Sequence, residues 1–267
     1  TLQQALDNWA TAAPQLQALY ERLQAGSAEG AFDLDMTALA APLPRAYEFV
    51  DGSAYLPHVE RVRRARGAEV PASFYTDPLM YQATSAGFYG PRDPVQVPSA
   101  EYGIDLEAEI VVITDDVPMA VSAEQAAAHI QLIGLVNDVS LRNLIPGELA
   151  KGFGFLQSKP RSALSPVFVT PDELGEAWRD SKLHLPLLTH INGAWFGAPE
   201  AGVDMQFNFA QLVAHAARTR PLTAGPFVGP ATIANEPPAG AAPGLAAPPG
   251  VNALRQAPPG PPCRPLG

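Results

Sequence analysis

The stretch that most constrains the fold is residues 103–113, which read GIDLEAEIVVI. Side chains in a strand alternate between two faces, so Asp105, Glu107 and Glu109 fall on one face and the intervening apolar residues on the other. Residues 110–113 are continuously apolar, as in a strand buried on both faces. We therefore predict a strand that leaves the core carrying carboxylates in a row.

Such a row of carboxylates needs an explanation. Neighbouring positions on one face lie roughly 6 to 7 Å apart, and anions that close repel each other unless a cation lies among them. A hard divalent metal such as Mg²⁺ is the simplest partner, because it binds carboxylate oxygens and keeps several waters. The alternative is an exposed strand face that is acidic without a ligand. A Glu-x-Glu pair alone leaves both interpretations open.

Composition and charge exclude several classes of protein. The chain has 267 residues, 47% of them hydrophobic, and a formal net charge of -10. This charge, with a pI near 4.9, argues against nucleic acid and anionic membranes as partners. Cys263 is the one cysteine, so no intramolecular disulfide can form. With no signal peptide and no apolar run of the roughly 20 residues that span a bilayer, we expect a cytoplasmic protein.

The two ends of the chain differ from its centre. Residues 1–25 are typical of two short helices, with Pro14 in the first turn of the second. From Pro237 onward proline, alanine and glycine dominate, and such a segment has too few apolar side chains to offset its ordering entropy. We predict three parts: an N-terminal helical segment over 1–42, a main domain over 43–236 and a disordered tail over 237–267.

Local patterns in the main domain predict individual elements. Capping boxes indicate two helix starts, and an Asn-Gly pair indicates a hairpin turn. Apolar runs indicate strands. The predicted elements are a strand at 79–83, a helix after Ser122 with Gln125, a strand at 130–136, a turn at Asn192 and Gly193, a helix after Asn208 with Gln211, and a strand at 227–233.

A basic stretch follows His58. It contains Arg61, Arg63, Arg64 and Arg66. A run of charges at this spacing is typical of a solvated helix face, and it is also suited to holding an anionic substrate tail. Both interpretations stay open from the sequence.

An ordered set of motifs resembles one known family. Glu107 and Glu109 are followed by Asp138 in GLVNDVSLRN and by Lys159 in FLQSKP. No single motif is specific, but the order and spacing resemble the fumarylacetoacetate hydrolase family over residues 43–235. The resemblance implies a mixed α/β, mostly β fold, with a rolled mixed sheet and peripheral helices, and it implies a homodimer.

The same resemblance implies a metal site and a lysine beside it. Glu107, Glu109 and Asp138 would hold the metal, usually Mg²⁺ and sometimes Mn²⁺ or Ca²⁺. An oxygen-only half-shell of this kind leaves open positions for water and a chelating substrate. Lys159 corresponds to the active-site lysine of the family, which helps to hold the oxygens of the substrate.

His58 is the candidate catalytic histidine. It lies in AYLPHVE, which resembles the N-Y-x-x-H segment whose histidine activates water or moves a proton. An imidazole suits this role, since its unperturbed pKa is about 6.5. In part of the family a glutamate three residues later is the partner of the histidine. Here Arg61 occupies that position and Glu60 is the nearby acid.

Four further residues are candidates for substrate binding. Tyr81 and Gln82 lie where the family has a substrate-contacting segment, although many members have lysine at the position of Gln82. Arg142 follows the aspartate as in N-D-x-x-x-R, and contacts a substrate carboxylate or braces the site. Thr232 resembles the threonine of a Gly-Thr turn that binds a substrate carboxylate, with Ala231 where glycine is usual.

The activity implied is metal-dependent hydrolysis of the C–C bond between two carbonyls in a 1,3-diketo acid, such as an acylpyruvate or a fumarylacetoacetate-like compound. The alternatives are hydration of a 2-oxo-4-enoic acid and decarboxylation of oxaloacetate. An inactive fold or binding module is a hypothesis from another class. It is motivated by Ala231, by Arg61 at the position of the dyad glutamate, and by the unusual C-terminal segment.

Overall fold

The central sheet is mixed and six-stranded. The structure is a computed structural model that describes residues 1–65, 67 and 69–236. Arg66 and the predicted disordered tail, 237–267, lie outside the described residues. The strands follow the spatial order β2 (Met80–Gln82), β1 (Phe49–Gly52), β12 (Phe227–Gly229), β4 (Ala108–Thr114), β5 (Ile130–Asn137) and β7 (Ala163–Leu164), numbered along the chain.

Shorter elements surround this sheet. The remaining described strands form two-stranded pairs: β3 (Ile104–Asp105) with β6 (Ser140–Leu141), β8 (Trp178–Arg179) with β9 (Lys182–Leu183), and β10 (Thr189–Ile191) with β11 (Ala194–Gly197). The α-helices are α1 (Leu2–Leu6), α2 (Trp9–Gln24), α3 (Leu56–Ala65), α4 (Ala123–Ala126), α5 (Ile145–Leu149) and α6 (Phe209–Ala216). Single 3₁₀ segments cover Ala72–Tyr75, Ala100–Tyr102, Ala127–His129 and Pro171–Ala177.

The pairing of β4 with β5 is the longest in the sheet. It is antiparallel and runs from Ala108 opposite Asn137 to Thr114 opposite Ile130. On its other side β4 pairs with β12, and β12 pairs in parallel with β1. These pairings bring the start of β4, the end of β5 and the middle of β1 to one region of the sheet, although they lie far apart in the sequence.

The acidic stretch is not one continuous strand. The predicted strand over 103–113 divides into β3 and β4, and Glu107 lies between them. The backbone N–H of Glu107 donates to the side-chain oxygen of Asn137 at 3.1 Å, so a side chain replaces the ladder partner at this point. The single-strand prediction is therefore wrong here, because the side chain of Asn137, on the neighbouring strand β5, takes the N–H that a continuous ladder would use.

Apolar side chains cover both faces of the sheet. One cluster joins the helices α4 and α6 to the sheet and includes Tyr55, Phe209 and Leu212, all buried. The other cluster contains Leu6 of α1 together with aromatic residues. Its ring contacts include Phe88 with Phe227, whose centroids lie 4.9 Å apart. The sheet is thus packed on both sides, which accounts for the continuous apolar run of β4.

Several sequence predictions are confirmed by these elements. The fold class is confirmed: the described chain is mixed α/β, mostly sheet, with a curled sheet and few helices. Both capping boxes form, at the starts of α4 and α6. Asn192 and Gly193 connect β10 to β11 with φ of 52° and 78°, the positive values that a tight hairpin turn requires.

The N-terminal helices differ from the prediction in one detail. Pro14 lies inside α2, not in its first turn, because that helix already begins at Trp9. None of the residues of α2 is buried. The prediction of a separate segment over 1–42 stays a prediction. Among the described helices, none combines the length and the apolar composition that crossing a membrane requires.

Candidate active site and metal centre

Three buried carboxylates meet at the sheet and form what we term the carboxylate cluster: Asp51, Glu109 and Asp138. One oxygen of each lies within 4.8 Å of the others. Asp51 belongs to β1 and Glu109 to β4, and Gly229 of the intervening strand β12 lies next to both. A Cβ atom on Gly229 would lie 2.4 Å from Asp51 Oδ1 and 3.3 Å from Glu109 Oε2. The glycine therefore leaves room for these two carboxylates.

The carboxylate cluster is suited to binding a hard cation. Within the described residues both side-chain oxygens of Glu109 are buried and have no hydrogen-bond partner. Burial, followed by the charge of Asp51, raises the pKa of Glu109 well above its usual value. Burial and the charge of Asp138 raise the pKa of Asp51 to about 7. Buried carboxylates in this condition bind a proton or a cation, and an oxygen-only donor set fits Mg²⁺, Mn²⁺ or Ca²⁺.

Glu107 has a different environment from the one predicted. Its Oε2 accepts hydrogen bonds from Ser140 Oγ at 2.7 Å and from Lys159 Nζ at 2.6 Å, and its Oε1 is paired with Arg142. Burial alone would raise the pKa of Glu107, but the charges of Lys159 and Arg142 hold it below the usual range. Asp51 thus takes the place expected for Glu107 in the cluster, and a metal-ligand role for Glu107 stays a prediction.

Lys159 links Glu107 to the carboxylate cluster. The side chain is buried, and Nζ lies 2.6 Å from both Glu107 Oε2 and Asp138 Oδ2. Burial would lower the pKa of Lys159, but the carboxylates around it, Asp138 foremost, raise it above its usual value. The ammonium therefore stays charged at neutral pH and can donate to an oxygen of a bound substrate.

His58 lies at the edge of this site on α3. It is 8% exposed, and its Nε2 is 3.8 Å from Glu107 Oε1. Burial lowers the pKa of His58 to about 4, so the imidazole is neutral at pH 7. Arg61 donates to the backbone oxygen of Asn235 at 2.6 Å, and Glu60 accepts from Tyr75 at 3.1 Å. Arg61 and Glu60 thus have other partners, and within the described residues the buried Nδ1 of His58 has no hydrogen-bond partner.

The predicted substrate residues do not all lie in one place. Tyr81 donates to Asp138 Oδ2 at 2.5 Å and lines the cavity described below. Gln82, the next residue of β2, is exposed and donates to Glu48 Oε2 at 3.1 Å. Successive residues of a strand point to opposite faces, so the side chains of Tyr81 and Gln82 separate. Arg142 lines the cavity and donates to Asp105 Oδ2 at 2.7 Å.

The turn before Thr232 forms with alanine in a backbone conformation that favours glycine. Ala231 has φ of 72°, which costs a residue with a side chain about 1 kcal/mol or more. Its N–H donates to Asp51 Oδ1 at 2.9 Å, and this bond ties the turn to the carboxylate cluster. The hydroxyl of Thr232 is buried and has no hydrogen-bond partner among the described residues.

A cavity of about 420 Å³ opens over the carboxylate cluster. Its charged end includes Asp51, Glu109 and Lys159, and the rest of the lining is mainly apolar. Phe155 closes one side, with its ring 4.9 Å from that of Tyr81 and nearly perpendicular to it. The apolar lining residues are Val59, Val62, Phe74, Leu79, Met80, Ile145, Leu149 and Phe155.

Glu148 fixes the backbone that leads to Lys159. Its carboxylate accepts backbone N–H bonds from Leu156 at 3.1 Å, Gln157 at 2.7 Å and Ser158 at 3.0 Å, and a hydroxyl bond from Ser158 at 2.5 Å. Burial raises the pKa of Glu148, but these bonds outweigh it and lower the pKa to about 2. The ionised carboxylate therefore holds the segment immediately before the lysine.

Sequence reasoning missed several of these residues. Asp51 had a signal, since an aspartate inside the apolar strand FVDG needs a partner when it is buried. Ser140 and Ser162, which donates to Asp138 Oδ1 at 2.7 Å, had none. Glu148 likewise resembles an ordinary helix glutamate in the sequence.

Comparison with known proteins gives the family. Residues 48–250 match the family model described as the C-terminal domain of fumarylacetoacetate hydrolase, and residues 1–45 match fumarylacetoacetase N-terminal domain 2. The chain therefore belongs to the fumarylacetoacetate hydrolase family, a family of enzymes. A 2,4-didehydro-3-deoxy-L-rhamnonate hydrolase of Sphingomonas sp. (strain SKA58) is 30% identical over 143 residues, which are 52% of this chain and 47% of that relative. The chain thus spans about half the length of this curated relative.

Solved structures share the fold at low identity. A Mycobacterium smegmatis protein described as HpcE has a TM-score of 0.65 and 21% identity, covering 86% of this chain and 75% of its own. A fumarylacetoacetate hydrolase family protein of Yersinia pestis CO92 has a TM-score of 0.57 and 22% identity, covering 74% and 86%. A 5-carboxymethyl-2-hydroxymuconate delta-isomerase of M. smegmatis has a TM-score of 0.54 and 21% identity, covering 73% and 70%. These likenesses establish the fold alone.

Proposed function

We propose that this protein is a metal-dependent hydrolase that cleaves the C–C bond between two carbonyls of a 1,3-diketo acid, such as an acylpyruvate or a fumarylacetoacetate-like compound. The observation that carries the proposal is that both buried oxygens of Glu109 lack a hydrogen-bond partner in the described chain, in a cluster whose Asp138 is paired with the charged ammonium of Lys159. A site built in this way binds a cation and negatively charged substrate oxygens together. Membership of an enzyme family that includes a named hydrolase supports the same class of reaction.

The carboxylate cluster would hold the metal, with Mg²⁺ the first choice and Mn²⁺ or Ca²⁺ as alternatives. Glu107 is a further candidate ligand, as the sequence predicted, if it exchanges one of its cationic partners for the metal. A divalent ion bound there supplies a Lewis acid that stabilises negative charge developing on the substrate oxygens.

The residues of the chain would carry the proton transfers. Neutral His58 accepts a proton from water as the water oxygen bonds to the carbonyl carbon farther from the substrate carboxylate. The bond between that carbon and the central carbon then breaks, and its electron pair passes into the enolate of the departing oxo acid, which is a 2-oxo acid when the substrate is an acylpyruvate. Lys159 donates a hydrogen bond to the enolate oxygen, and the imidazolium of His58 returns its proton to the central carbon.

Other residues would orient the substrate. Tyr81 and Arg142 line the cavity beside the charged end, and we propose that they contact the head of the substrate. Thr232 does not line the cavity itself, but it follows Ala231, which does, and we propose that its buried hydroxyl turns to the substrate carboxylate on binding. Gln82 is not part of the proposal, because its side chain lies on the outer side of β2.

Hydration of a 2-oxo-4-enoic acid is the second candidate. The observation that favours it is that Arg61, not a glutamate, stands one turn after His58 and bonds to Asn235. Hydration of a 2-oxo-4-enoic acid also adds water, but it first needs a proton shift through the enol that brings the C=C into conjugation with the carbonyl. A histidine without a carboxylate partner can carry out that shift. Both reactions would use the same stabilisation of an enolate, and both fit the chemistry of aromatic-compound catabolism.

A metal-dependence assay tests the proposal. The protein is stripped with a chelator and supplied with Mg²⁺, Mn²⁺ or Ca²⁺ in the presence of acylpyruvates, 2-oxo-4-enoic acids or oxaloacetate. We expect Mg²⁺ to restore hydrolysis of an acylpyruvate, Glu109→Gln to abolish it, and the exposed control Glu124→Gln to retain it. Turnover that persists without metal contradicts the proposal, and metal binding without turnover of any substrate favours the inactive fold.

Two further features belong to the proposal. The resemblance implies a homodimer, which sedimentation velocity of the full chain would measure. A small-molecule 2-oxo or diketo acid is the expected partner, and a cytoplasmic location stays a prediction from the sequence.

A further inference from the structure

The backbone that carries Lys159 is fixed at three points. The backbone oxygen of Lys159 accepts from the hydroxyl of Thr84 at 2.7 Å. The backbone oxygen of Ser158 accepts from the N–H of Leu141 at 2.8 Å. The carboxylate of Glu148 accepts from the N–H of Ser158 at 3.0 Å and from its hydroxyl at 2.5 Å. The position of the ammonium beside the carboxylate cluster therefore depends on these contacts.

Glu148 is the charged one of the three fixed points. Its side chain is buried, with 8% of the residue exposed. Besides Ser158, its oxygens accept from the N–H groups of Leu156 at 3.1 Å and Gln157 at 2.7 Å. Hydrogen bonds to an ionised acceptor are roughly twice as strong as neutral ones. A glutamine of the same size would turn an NH₂ group toward some of these donors, so the full set of bonds requires the carboxylate.

The helix that carries Glu148 also forms part of the cavity wall. Ile145 and Leu149 of α5 line the apolar part of the cavity, and Lys159 lines its charged end. One buried carboxylate therefore sets the position of the ammonium relative to the wall that would contact the substrate chain. Such placement matters, because a shift of about 1 Å at a reacting group can cost about 100-fold in rate.

We propose that Glu148 is a positioning residue that acts through Lys159. It holds the ammonium at the point from which Lys159 donates to the negatively charged oxygens of a bound oxo acid. Glu148 does not line the cavity, so its effect on the substrate is indirect. This assignment rests on the proposed function, because it takes the oxygens of an oxo acid as the group that Lys159 binds.

A double-mutant cycle on the binding of oxalate tests the assignment without requiring turnover. Oxalate is a dianion whose adjacent oxygens resemble those of a 2-oxo acid enolate. Calorimetry on the full chain in saturating Mg²⁺ measures its affinity. Glu148→Gln should weaken oxalate binding by at least about tenfold, the scale of a hydrogen bond between charged groups. In the Lys159→Met background the same change should alter the affinity by less than about twofold, because no ammonium remains to be positioned.

Three results of this cycle would overturn the assignment. The first is wild-type affinity in Glu148→Gln, and the second is a loss that adds fully to that of Lys159→Met, because either result separates the glutamate from the lysine. The third is the absence of oxalate binding by the wild type or an unchanged affinity in Lys159→Met, because the ammonium would then have no substrate oxygens to hold.

Two further variants keep the test decisive if Lys159→Met does not fold. Ser158→Ala removes one hydroxyl bond and leaves Glu148 and Lys159 in place, so it should lose part of the oxalate affinity. Leu6→Ala destabilises the fold from a buried position in the core cluster next to α1 and should bind oxalate like the wild type. Unchanged affinity in Ser158→Ala, or an equal loss in Leu6→Ala, overturns the assignment.

The same measurements separate this inference from the proposed function. If oxalate affinity follows the expected cycle but no 1,3-diketo acid is cleaved, the proposed function fails and the role of Glu148 stands. If an acylpyruvate is cleaved with Mg²⁺ but Glu148→Gln binds oxalate like the wild type, the role of Glu148 fails and the proposed function stands.

Discussion

Two glutamates of the same site have opposite surroundings and opposite shifts of their pKa. Around Glu107, a lysine, an arginine and a serine satisfy the carboxylate, and its pKa falls below the usual range. Around Glu109, two residues later, the described chain provides no partner for either oxygen, and the pKa rises well above its usual value. Burial is equal in the two cases, since Glu107 is 4% and Glu109 1% exposed. The difference therefore lies in the partners.

This contrast separates a carboxylate with cationic partners from one without a partner in the described chain. A buried ion that is fully paired contributes to folding, and removing one partner is strongly destabilising. A buried carboxylate without a partner opposes folding, and such groups persist at functional sites. The short loop at Glu107, between β3 and β4, is what allows neighbouring glutamates to have such different surroundings.

The largest expected effect is on stability. Glu107→Gln should lower the free energy of unfolding by roughly 3 kcal/mol, because Lys159 and Arg142 each lose a buried charged partner. Glu109→Gln, the matched change two residues away, should leave stability unchanged or raise it, because it removes a repelling charge. Urea denaturation followed by circular dichroism measures both in the metal-free protein. Equal destabilisation by the two variants would contradict the distinction between a paired carboxylate at Glu107 and an unpaired one at Glu109.

For metal affinity we expect the reverse order, with a larger loss in variants of the carboxylate cluster than in the variant of Glu107. Asp51→Asn and Glu109→Gln should each weaken Mg²⁺ binding by at least about 100-fold, the upper range for groups that only support ligands. Calorimetry on the full chain checks this, and Glu107→Gln decides whether Glu107 is a ligand too. Undiminished affinity in both cluster variants would sink the assignment of the metal centre.

A variant of His58 separates catalysis from metal binding, because this residue lies next to Glu107 and outside the carboxylate cluster. His58→Ala should lower kcat by roughly 100-fold on any substrate that is turned over, which is the usual scale for general base catalysis. Its Mg²⁺ affinity should stay the same, because the imidazole lies beside Glu107 and not in the carboxylate cluster. His215→Ala, on α6, is the control. Wild-type kcat in His58→Ala would mean that the histidine is structural.

Glu148 is a second carboxylate with a full set of partners, and its contribution to stability should depend on pH. A carboxylate with its pKa lowered to about 2 in the folded chain stabilises the fold fully above the unfolded pKa of about 4.3, and that contribution is lost as the pH falls toward 2. Glu148→Gln should therefore be less stable than the wild type by roughly 2 kcal/mol near pH 7. The difference should shrink between pH 4.3 and 2 in acid denaturation curves. A constant difference across that range contradicts the role of the charge.

The smallest effect is expected where the cation of an ion pair is at the surface. Arg220 pairs with Glu48 at 2.8 Å, but the arginine side chain is 48% exposed. Arg220→Gln should change the free energy of unfolding by less than about 1 kcal/mol, since solvent and salt screen such pairs. Urea denaturation at low and high salt measures it. A loss as large as that of Glu107→Gln would show that burial is not what distinguishes the two pairs.

Local patterns predicted the parts of the fold that depend on local physics. The capping boxes at Ser122 and Asn208 and the Asn-Gly hairpin formed as expected, because each is a contact within a few residues. The motif set around Glu109, Asp138 and Lys159 predicted the family. The caps and the turn are readable because the residues that determine them lie close together in the chain, and the motif set is readable through its order and spacing.

What escaped the sequence depends on long-range pairing or on register. Asp51 reaches Glu109 only because β12, from the end of the described chain, lies between β1 and β4. The opposite directions of Tyr81 and Gln82 follow from which face of β2 is turned inward, and a three-residue strand does not specify that. The interruption at Glu107 arises because the side chain of Asn137 competes for its N–H.

The residue at position 229 matters when activity is inferred for related sequences. It offers no functional group, yet a single added methyl there would lie 2.4 Å from an Asp51 oxygen. A relative could keep every carboxylate, the lysine and the histidine and still lose the chemistry through one small substitution at this position. To judge whether a related sequence encodes an active enzyme, the residue at this glycine position therefore has to be checked together with the carboxylates, the lysine and the histidine.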